Sequence, residues 1–556
     1  MEKPSLEIGN SNWAIKEGEL LGYNRAGNDY LPIPITMTRA SLGTRVNPEG
    51  LVEDVELLGS ELVTNGDFEN NVIGWNKFKS NATESWNAGG YLDFTKTGES
   101  GRLGSDVSLE TNKTYKISVN VISLGGILDL HVGISDFESP YSGNSSSALA
   151  VGVNTIYLTY PGSALSKGVY LQSGGTNYYG LTASIGSISV KEATIDNLAR
   201  VDYTDGTSSL LVEPLRTNIV PYSEDFTANE WSKTGAVVTP NQAISPDGTL
   251  NADLVELGTV NDRFADVISS PSGGTYTFTF YIKAKEGQSG NWTSYCIGDT
   301  SSSTVTFIDD SAWVRVSKTF IKTGAGNLIV YPAYRLNSNT IFDAYIWGAQ
   351  LEEGSYATSY IPTDGGTVTR VQDQYSKTGI SNLIGQTEGT FFIELSKPVL
   401  EPDSYYLISL NNAASNSDDN SVTIGFENSN DFFLRVQSNG TDAFYSNNFD
   451  ALNVNTFYKI AVSYKSGQSL IYIDGSPITP NGGNLSNAFA FTATLDNLSF
   501  DFNGNNGLPF YGKVKQLQVF KTALTDDELT ILTGTSGVHF FPSYGSMAAA
   551  LTYTIE

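Results

Sequence analysis

The stretch TYKISVNVIS, residues 114–123, decides how the fold of this 556-residue chain is interpreted. Every second residue in it is apolar, namely Tyr115, Ile117, Val119 and Val121. The residues between them are polar, namely Lys116, Ser118 and Asn120. A period of two places the apolar side chains on one face of a β-strand and the polar side chains on the other. The stretch therefore predicts a strand with one face in a core and the other in water.

Runs of this kind recur along most of the chain, separated by Gly, Asn or Ser. Short strands at regular spacing, with turn residues between them, are typical of β-sandwiches. Two groups of runs share one plan, because LVTNGDFENNVIGW opens the first at residue 62 and NIVPYSEDFTANEW opens the second at residue 218. We interpret these groups as two diverged copies of a jelly roll.

A third group of runs ends in the one convincing helix of the sequence. Thr525 with Glu528 three residues later forms a capping box, and Leu529, Ile531 and Leu532 supply apolar contacts. The predicted fold class is all-β, with tandem β-sandwiches. We divide the chain into an N-terminal attachment and connecting segment (1–61), a first jelly roll (62–195), a connector (196–216), a second jelly roll (217–365), a third sandwich (366–537) and a C-terminal tail (538–556).

Composition argues against several classes of function. The formal net charge of −27 is spread along the chain and repels phosphate backbones and anionic membranes, so we expect neither nucleic-acid binding nor membrane insertion. Cys296 is the only cysteine, which rules out an intrachain disulfide and predicts a buried strand residue. His131 and His539 are too far apart for a local metal motif, and neither lies beside a nucleophile elbow. We therefore predict a protein that is not an enzyme.

The third group resembles the laminin-G/concanavalin-like lectin sandwich. The order FYKIAVSY, IYIDG and GKVKQLQVFKTALTDDEL carries this resemblance. The first two groups resemble galactose-binding-like jelly rolls of carbohydrate-binding modules, through the openings quoted above and the closure YIWGAQLEEGSYATSYIPT. These resemblances imply two jelly rolls followed by a concanavalin-like sandwich, and glycans as ligands.

Three further segments are similar to the connecting text of phage tail and head-fibre proteins. They are TRASLGTRVNPEGLVEDV (38–55), ARVDYTDGTSSLLVEPLRTNIVPYSEDF (199–226) and GGTVTRVQDQYSKTGIS (365–381). In such proteins the segment that resembles residues 38–55 is followed closely by the segment that resembles residues 199–226. The first jelly roll therefore looks like an insertion, and residues 36–60 and 196–216 look like two halves of one connecting element.

The phage resemblance implies a virion structural protein that displays glycan-binding modules for host attachment, as a head fibre, a capsid decoration or a tail fibre. The first residues of the chain, MEKPSLEIGNSNW, lack the features of a secretory signal, which suits a virion component made in the host cytoplasm. We expect other virion proteins to contact the N-terminal segment, and a homotrimer. The alternatives are a bacterial surface adhesin, a phage polysaccharide depolymerase and a purely structural capsid cement.

Sugar recognition needs an exposed aromatic face for the C–H groups of the ring and polar groups for its hydroxyls. The candidate platforms are Trp86, Tyr178, Tyr179, Trp292, Tyr295, Tyr331 and Tyr334. Trp75 and Trp231 occupy the same relative place in the two jelly rolls, which suits a core residue, and Trp347 is expected in the core too.

We predict no required cofactor, and calcium as the possible structural ion, because oxygen-rich loops suit it. The jelly-roll resemblance places such an ion at Asp67 and Glu69, with Asp225 as the counterpart in the second copy. Asp418 and Asp419 are a further option in the third sandwich. Solvated turn carboxylates are the alternative interpretation of all five residues.

Overall fold

The computed structural model confirms an all-β fold of several sandwiches. It describes residues 2–10, 13–26, 29–136, 145–162, 167–174, 177–269, 271–297, 301–324, 326–335, 343–399, 404–414, 419–427, 431–447, 453–502, 507–534 and 554–555. The chain divides into two compact units. One consists of Glu56–Ile195, and the other of Met1–Val55 together with Asp196–Glu556.

Among the described residues before residue 56 there are six strands. They are β1 (Leu6–Gly9), β2 (Ala14–Lys16), β3 (Glu19–Ala26), β4 (Asp29–Thr38), β5 (Thr44–Val46) and β6 (Val52–Asp54). Neighbours along the chain pair antiparallel in β2–β3, β3–β4 and β5–β6.

The unit Glu56–Ile195 is a sandwich of two antiparallel sheets. Its strands are β7 (Leu57–Glu61), β8 (Lys77–Ser80), β9 (Ala82–Asn87), β10 (Tyr91–Lys96), β11 (Gly101–Asp106), β12 (Thr114–Ser123), β13 (Leu130–Asp136), β14 (Ser145–Ala148), β15 (Gly152–Thr159), β16 (Lys167–Ser173) and β17 (Thr182–Thr194). One sheet has the order β9-β10-β17-β12-β15, with β7 beside β17, and the other has the order β8-β11-β16-β13-β14. The predicted alternation of β12 is confirmed, because its four apolar residues from Tyr115 to Val121 are buried in the core.

The second sandwich repeats this strand order. After β18 (Val201–Asp202), β19 (Ser209–Val212) and β20 (Arg216–Asn218), its strands are β21 (Ser232–Thr234), β22 (Ala236–Ile244), β23 (Leu250–Leu257), β24 (Arg263–Ile268), β25 (Gly274–Ala284), β26 (Ser289–Ile297), β27 (Ser301–Asp309), β28 (Val314–Lys322), β29 (Leu328–Tyr334) and β30 (Asp343–Glu353). The sheets run β22-β23-β30-β25-β28 and β21-β24-β29-β26-β27. Strands β21 to β30 therefore occupy the same positions, in the same order, as β8 to β17.

The remaining elements comprise β31 (Val368–Arg370), which pairs with β20 in a separate two-stranded sheet, and the strands and helix of the third sandwich. The latter are β32 (Gln374–Thr378), β33 (Glu388–Ser396), β34 (Tyr406–Asn411), β35 (Asn420–Phe426), β36 (Phe432–Ser438), β37 (Thr441–Ser446), β38 (Tyr458–Lys465), β39 (Leu470–Ile473), β40 (Ser476–Pro477), β41 (Gly482–Gly483), β42 (Asn497–Ser499), β43 (Gly512–Phe520), α1 (Asp526–Thr533) and β44 (Thr554–Ile555). One face is built on β43-β33-β38-β39 and the other on β32-β42-β34-β35-β36-β37.

The N-terminal strands belong to this third sandwich, which corrects the expectation of a separate attachment segment at 1–61. Strand β1 pairs with β43, and β4 pairs with β32. Leu6 and Ile8 are 0% and 1% exposed in the shared core. An unpaired edge on β43 would leave a row of backbone groups without partners, and β1 removes that edge. In the 196–216 connector, β19 also pairs with β43. Thr554–Ile555 pairs with β2, and the rest of the predicted 538–556 tail, including His539, lies outside the described residues.

The predicted helix is confirmed at Asp526–Thr533. Its N-cap is Thr525, and the reciprocal capping-box hydrogen bonds with Glu528 are both present. Leu529 and Leu532 belong to a buried cluster with Phe392, Ala461 and Tyr472, and the helix packs on β38 and β39.

A buried ionic junction joins the N-terminal segment, the connector and the end of the second sandwich to the start of the third. Asp373 binds Arg39 through Oδ1 (2.8 Å) and Arg200 through Oδ2, and all three side chains are fully buried. Glu213 Oε2 accepts from Arg200 Nη1 at 2.7 Å and lies 3.0 Å from Arg370 Nη1. Burial alone would raise the pKa of Glu213, but Arg370 and Arg200 lower it well below its ordinary value. Glu213 is therefore a charged partner of two buried arginines, and Asp373 bridges Arg39 and Arg200.

Replacing Asp373 with Asn leaves the Arg39 and Arg200 guanidinium groups buried without their shared carboxylate. We expect the free energy of unfolding to fall by about 3–5 kcal/mol, measured by urea unfolding of the full chain followed by tryptophan fluorescence. Glu388→Gln breaks the surface pair with Lys465 and should cost less than about 1 kcal/mol. Equal losses in the two variants would show that the junction is not a major source of stability.

A second prediction concerns Glu7, which is fully buried on β1. Burial raises its pKa to about 8, against the opposing hydrogen bond from Asn10. Because this pKa lies above the ordinary value of 4.5, the folded chain binds more protons between these two pH values. Stability should therefore fall as pH rises through this window, by up to about 1.4 kcal/mol per pH unit. Glu7→Gln should flatten the pH dependence of the urea midpoint between pH 5 and pH 8. Glu388→Gln should leave the slope unchanged, and a Glu7→Gln slope equal to that of the parent would contradict the assignment.

Candidate functional site

Three of the predicted aromatic residues meet on the outward face of the sheet β21-β24-β29-β26-β27 of the second sandwich. Tyr295 on β26 is paired in register with Tyr331 on the neighbouring β29. The ring centroids of Tyr331 and Tyr334 are 5.5 Å apart with planes at 24°, and Tyr295 meets these rings edge-on at 6.0 Å and 5.5 Å. All three side chains are partly exposed. We call these three residues the tyrosine face.

Polar and apolar side chains surround the tyrosine face. The guanidinium carbon of Arg263, on β24, lies 5.6 Å from the centroid of the Tyr334 ring, and Nη1 donates to the Asn261 carbonyl at 2.9 Å. On the edge strand β27, Val305 and Phe307 are 59% and 63% exposed. Together these groups supply aromatic surface for the C–H side of a sugar ring and hydroxyl and guanidinium groups for its oxygens.

Trp292 was also a candidate platform, and the structure places it in the core instead. It is 1% exposed, and Nε1 donates to the Pro332 carbonyl at 2.8 Å. The reason is register: Trp292 and Cys296 are an even number of residues apart and face inward, whereas Tyr295 between them faces outward. Cys296 is buried, as expected from the sequence.

The matching sheet of the first sandwich carries a small cleft. Its lining residues are Asp129, His131, Tyr170, Gln172 and Gly174. On the neighbouring strand β11, Arg102 donates to Gln172 Oε1 through Nε at 2.9 Å and through Nη2. The guanidinium carbon lies 4.6 Å from the centroid of the Tyr170 ring. Tyr170 is only 2% exposed and forms the floor of this cleft.

Two predicted aromatic residues lie close to one end of the cleft. Lys96 Nζ donates to the carbonyl of Gly174, a lining residue, and lies 5.7 Å from the ring centroids of both Tyr178 and Tyr179. Tyr179 is 50% exposed and Tyr178 is partly exposed. Trp86 is 42% exposed on β9, at the edge of the other sheet, where Nε1 donates to the Phe68 carbonyl at 2.8 Å. Trp86 therefore belongs to a different sheet from the cleft.

Sequence reasoning missed Arg102, Tyr170 and Gln172 and considered His131 only as a metal ligand or catalytic base. A signal for two of them was present. In KGVYLQS (167–173), Val169 and Leu171 alternate with Tyr170 and Gln172, which places the latter pair on the outward face. This pattern does not show that β11 and β13 pair with β16, and therefore does not predict the cleft.

The predicted core tryptophans are buried. Trp75 and Trp231 are 0% and 1% exposed, and their Nε1 atoms donate to the carbonyls of Asn65 and Tyr222 in the matching opening segments. Trp347 is 1% exposed. These residues stabilise the sandwiches and present no surface to a ligand.

The candidate calcium residues are turn carboxylates. Asp67 and Glu69 are exposed, and Asp67 Oδ1 accepts from the Glu69 amide at 3.5 Å. Asp225 Oδ1 accepts from the amide and hydroxyl of Thr227 at 2.9 Å and 2.5 Å. Asp419 is exposed, and Asp418 lies outside the described residues. Within the described ranges, no three His, Cys, Asp or Glu side chains cluster in a way that suits a metal ion. The described helix is also too short to span a membrane.

Comparison with known proteins identifies the third sandwich. Residues 400–530 match the family model of the Concanavalin A-like lectin/glucanases superfamily. The chain is thus a tandem β-sandwich protein that contains a concanavalin-like domain, as predicted. No curated protein matches the chain in sequence.

Several solved structures are similar to parts of the chain. The CBM40 of the Ruminococcus gnavus IT-sialidase, bound to α2,3-sialyllactose, is 20% identical with a TM-score of 0.23, over 27% of this chain and 84% of that chain. The CBM22-1–CBM22-2 tandem of Paenibacillus barcinonensis Xyn10C is 13% identical with a TM-score of 0.20, over 53% and 98%. Domain 4 of the arabinanase AbnA from Geobacillus stearothermophilus, in complex with arabinotriose, is 17% identical with a TM-score of 0.23, over 33% and 82%. Similarity at this level carries no inference about function.

Proposed function

We propose that this chain is a non-catalytic structural protein of a bacteriophage virion that binds host-surface glycans through its sandwiches. The tyrosine face carries the glycan part of the proposal, because it exposes three adjacent aromatic rings and their hydroxyls on a rigid sheet. The concanavalin-like domain at residues 400–530 supports it.

The virion part of the proposal rests on the likeness of segments 38–55, 199–226 and 365–381 to phage head-fibre and tail-fibre text. Arg39, Arg200 and Arg370, one from each segment, meet in the buried junction. The three sequence segments that resemble fibre proteins therefore form part of a packed structural element and are not loose linkers. In this proposal the protein lies on the virion surface as a head fibre, capsid decoration or tail fibre, and contacts other virion proteins through its N-terminal segment.

Display in many copies would compensate for weak binding at a single face, because effective concentration multiplies the affinity. The proposal includes a homotrimer and no nucleic-acid or membrane partner. The predicted structural calcium at Asp67 and Glu69, or at Asp225, remains a prediction, and no cofactor is required for binding.

A glycan array tests the tyrosine face. The full chain, presented as multivalent complexes, should bind at least one host-surface glycan, and Tyr331→Ala should weaken that binding by about 10-fold or more through the loss of an aromatic platform. Tyr345→Ala is the matched control, because Tyr345 is a partly exposed tyrosine on β30 in the other sheet of the same sandwich. Tyr345→Ala should bind like the parent.

Absence of binding to every host glycan would favour the capsid-cement alternative and overturn the glycan proposal. Shortening of a bound polysaccharide by the purified chain would favour the depolymerase instead.

Electron microscopy of phage particles with antibody-labelled chain tests the location. We expect label at the particle surface, on the head or on the tail. Label confined to the bacterial envelope would favour the adhesin alternative and contradict the virion assignment.

A further inference from the structure

The first sandwich presents a row of three polar side chains across neighbouring strands of its five-stranded sheet. Gln172 on β16 is paired in register with His131 on β13 and with Arg102 on β11. Residues paired in this way project from the same face with Cβ atoms about 4.5–5.5 Å apart. The row thus crosses the cleft and brings an imidazole, an amide and a guanidinium group together.

Arg102 is held in one orientation within this row. Two of its nitrogens donate to Gln172 Oε1, and its guanidinium plane lies over the Tyr170 ring. Tyr170 fits beneath it because glycines are its partners on both neighbouring strands, Gly104 on β11 and Gly133 on β13. A Cβ atom at Gly104 would lie 2.3 Å from the Val169 carbonyl oxygen and 3.1 Å from the Tyr170 Cα. The packing therefore orders the guanidinium group before any ligand arrives, which lowers the entropy cost of binding.

The side chains around the cleft carry more positive than negative charge, although the chain as a whole is strongly negative. The chain has a net charge of −27, yet among the described residues that line or flank the cleft, Arg102 and, at Gly174, the buried Lys96 accompany one carboxylate, Asp129. Asp129 Oδ1 accepts a hydrogen bond from the Ser173 hydroxyl at 2.5 Å. His131 carries an N–H donor in either protonation state. A local excess of positive charge and ordered donors favours an anionic group.

We infer that this cleft binds a sugar that carries a carboxylate, an inference that rests on the proposed glycan-binding function and names the ligand class of one site. The carboxylate lies against Arg102 and His131, where charge-assisted hydrogen bonds are strong. Asp129 accepts from a ring hydroxyl, and Tyr179, exposed beyond Lys96, supplies apolar surface for the next sugar. The tyrosine face of the second sandwich is a separate site.

The test uses matched pairs of ligands that carry the same sugar with its carboxylate either free or blocked as a methyl ester. Oligosaccharides of galacturonic, glucuronic and mannuronic acid are titrated calorimetrically as the free acids and as their methyl esters, with the full chain at low salt. We expect at least one free acid to bind about 10-fold or more tightly than its ester, as for a charge-assisted hydrogen bond. Arg102→Gln should abolish this preference, and His131→Gln should reduce it.

Three further variants make the result specific. Arg102→Lys keeps the charge but loses the planar fork, so it should retain only part of the preference. Lys113→Gln removes one positive charge from a surface pair with Glu192 in the same unit and should leave the preference intact. Tyr331→Ala alters the other sandwich and should also leave it intact. Thermal unfolding of each variant confirms that the fold is retained.

Failure of the inference is distinguishable from failure of the proposed function. If acids and esters bind equally, or if the preference survives in Arg102→Gln, the carboxylate assignment is overturned while glycan binding through the tyrosine face stands. If no acid or ester binds and the glycan array is also empty, both the inference and the proposed function are overturned.

Discussion

The buried junction around Asp373 and Glu213 is the constraint on which the larger unit of this protein depends. Arginines buried without partners would cost several kcal/mol each, so Arg39, Arg200 and Arg370 are tolerated only while both carboxylates are in place. The three arginines and two carboxylates come from the N-terminal segment, the connector and the start of the third sandwich. Ser359, at the end of the second sandwich, donates a hydrogen bond to Glu213. The junction adds to strand pairing an ionic link between segments more than three hundred residues apart in sequence, as between Arg39 and Asp373.

A whole sandwich is inserted in the chain between residues 55 and 196. Arg39 and Asn197, which flank the insertion, are tied by two hydrogen bonds: the Arg39 amide donates to Asn197 Oδ1, and the Asn197 amide donates to the Arg39 carbonyl, at 2.9 Å and 2.8 Å. Residues that precede and follow the insertion are thus adjacent within the larger unit, and Leu57 pairs with Thr194 near the two ends of the inserted sandwich. An insertion whose ends lie close together disturbs the host fold little, because host pairing is retained on both sides.

Local pattern was enough to predict much of this architecture. Period-two alternation identified strands such as β12, the capping box located α1, and the paired openings around Trp75 and Trp231 revealed the repeated plan. Pattern could not show that Leu6 and Ile8 would complete a sheet with β43, since pairing partners separated by five hundred residues leave no local signal. The residues of the tyrosine face were predicted one by one because they are aromatic, but not that they lie together. Trp292 was assigned to the surface wrongly, because the sequence did not show that its position on β26 faces the core.

The two sandwiches show how one strand order yields two kinds of surface. Packing fixes the inward residues of every strand, so only the outward ones are free to create a site. On β16, Tyr170 is flanked by Gly104 and Gly133 and becomes the floor of a cleft. On the matching strand β29, Tyr331 is paired with Tyr295 and their rings meet edge-on, so the surface carries adjacent aromatic rings. The size of the residue beside one tyrosine therefore distinguishes a polar cleft from an aromatic surface. Differences in ligand between the modules need no change in either core.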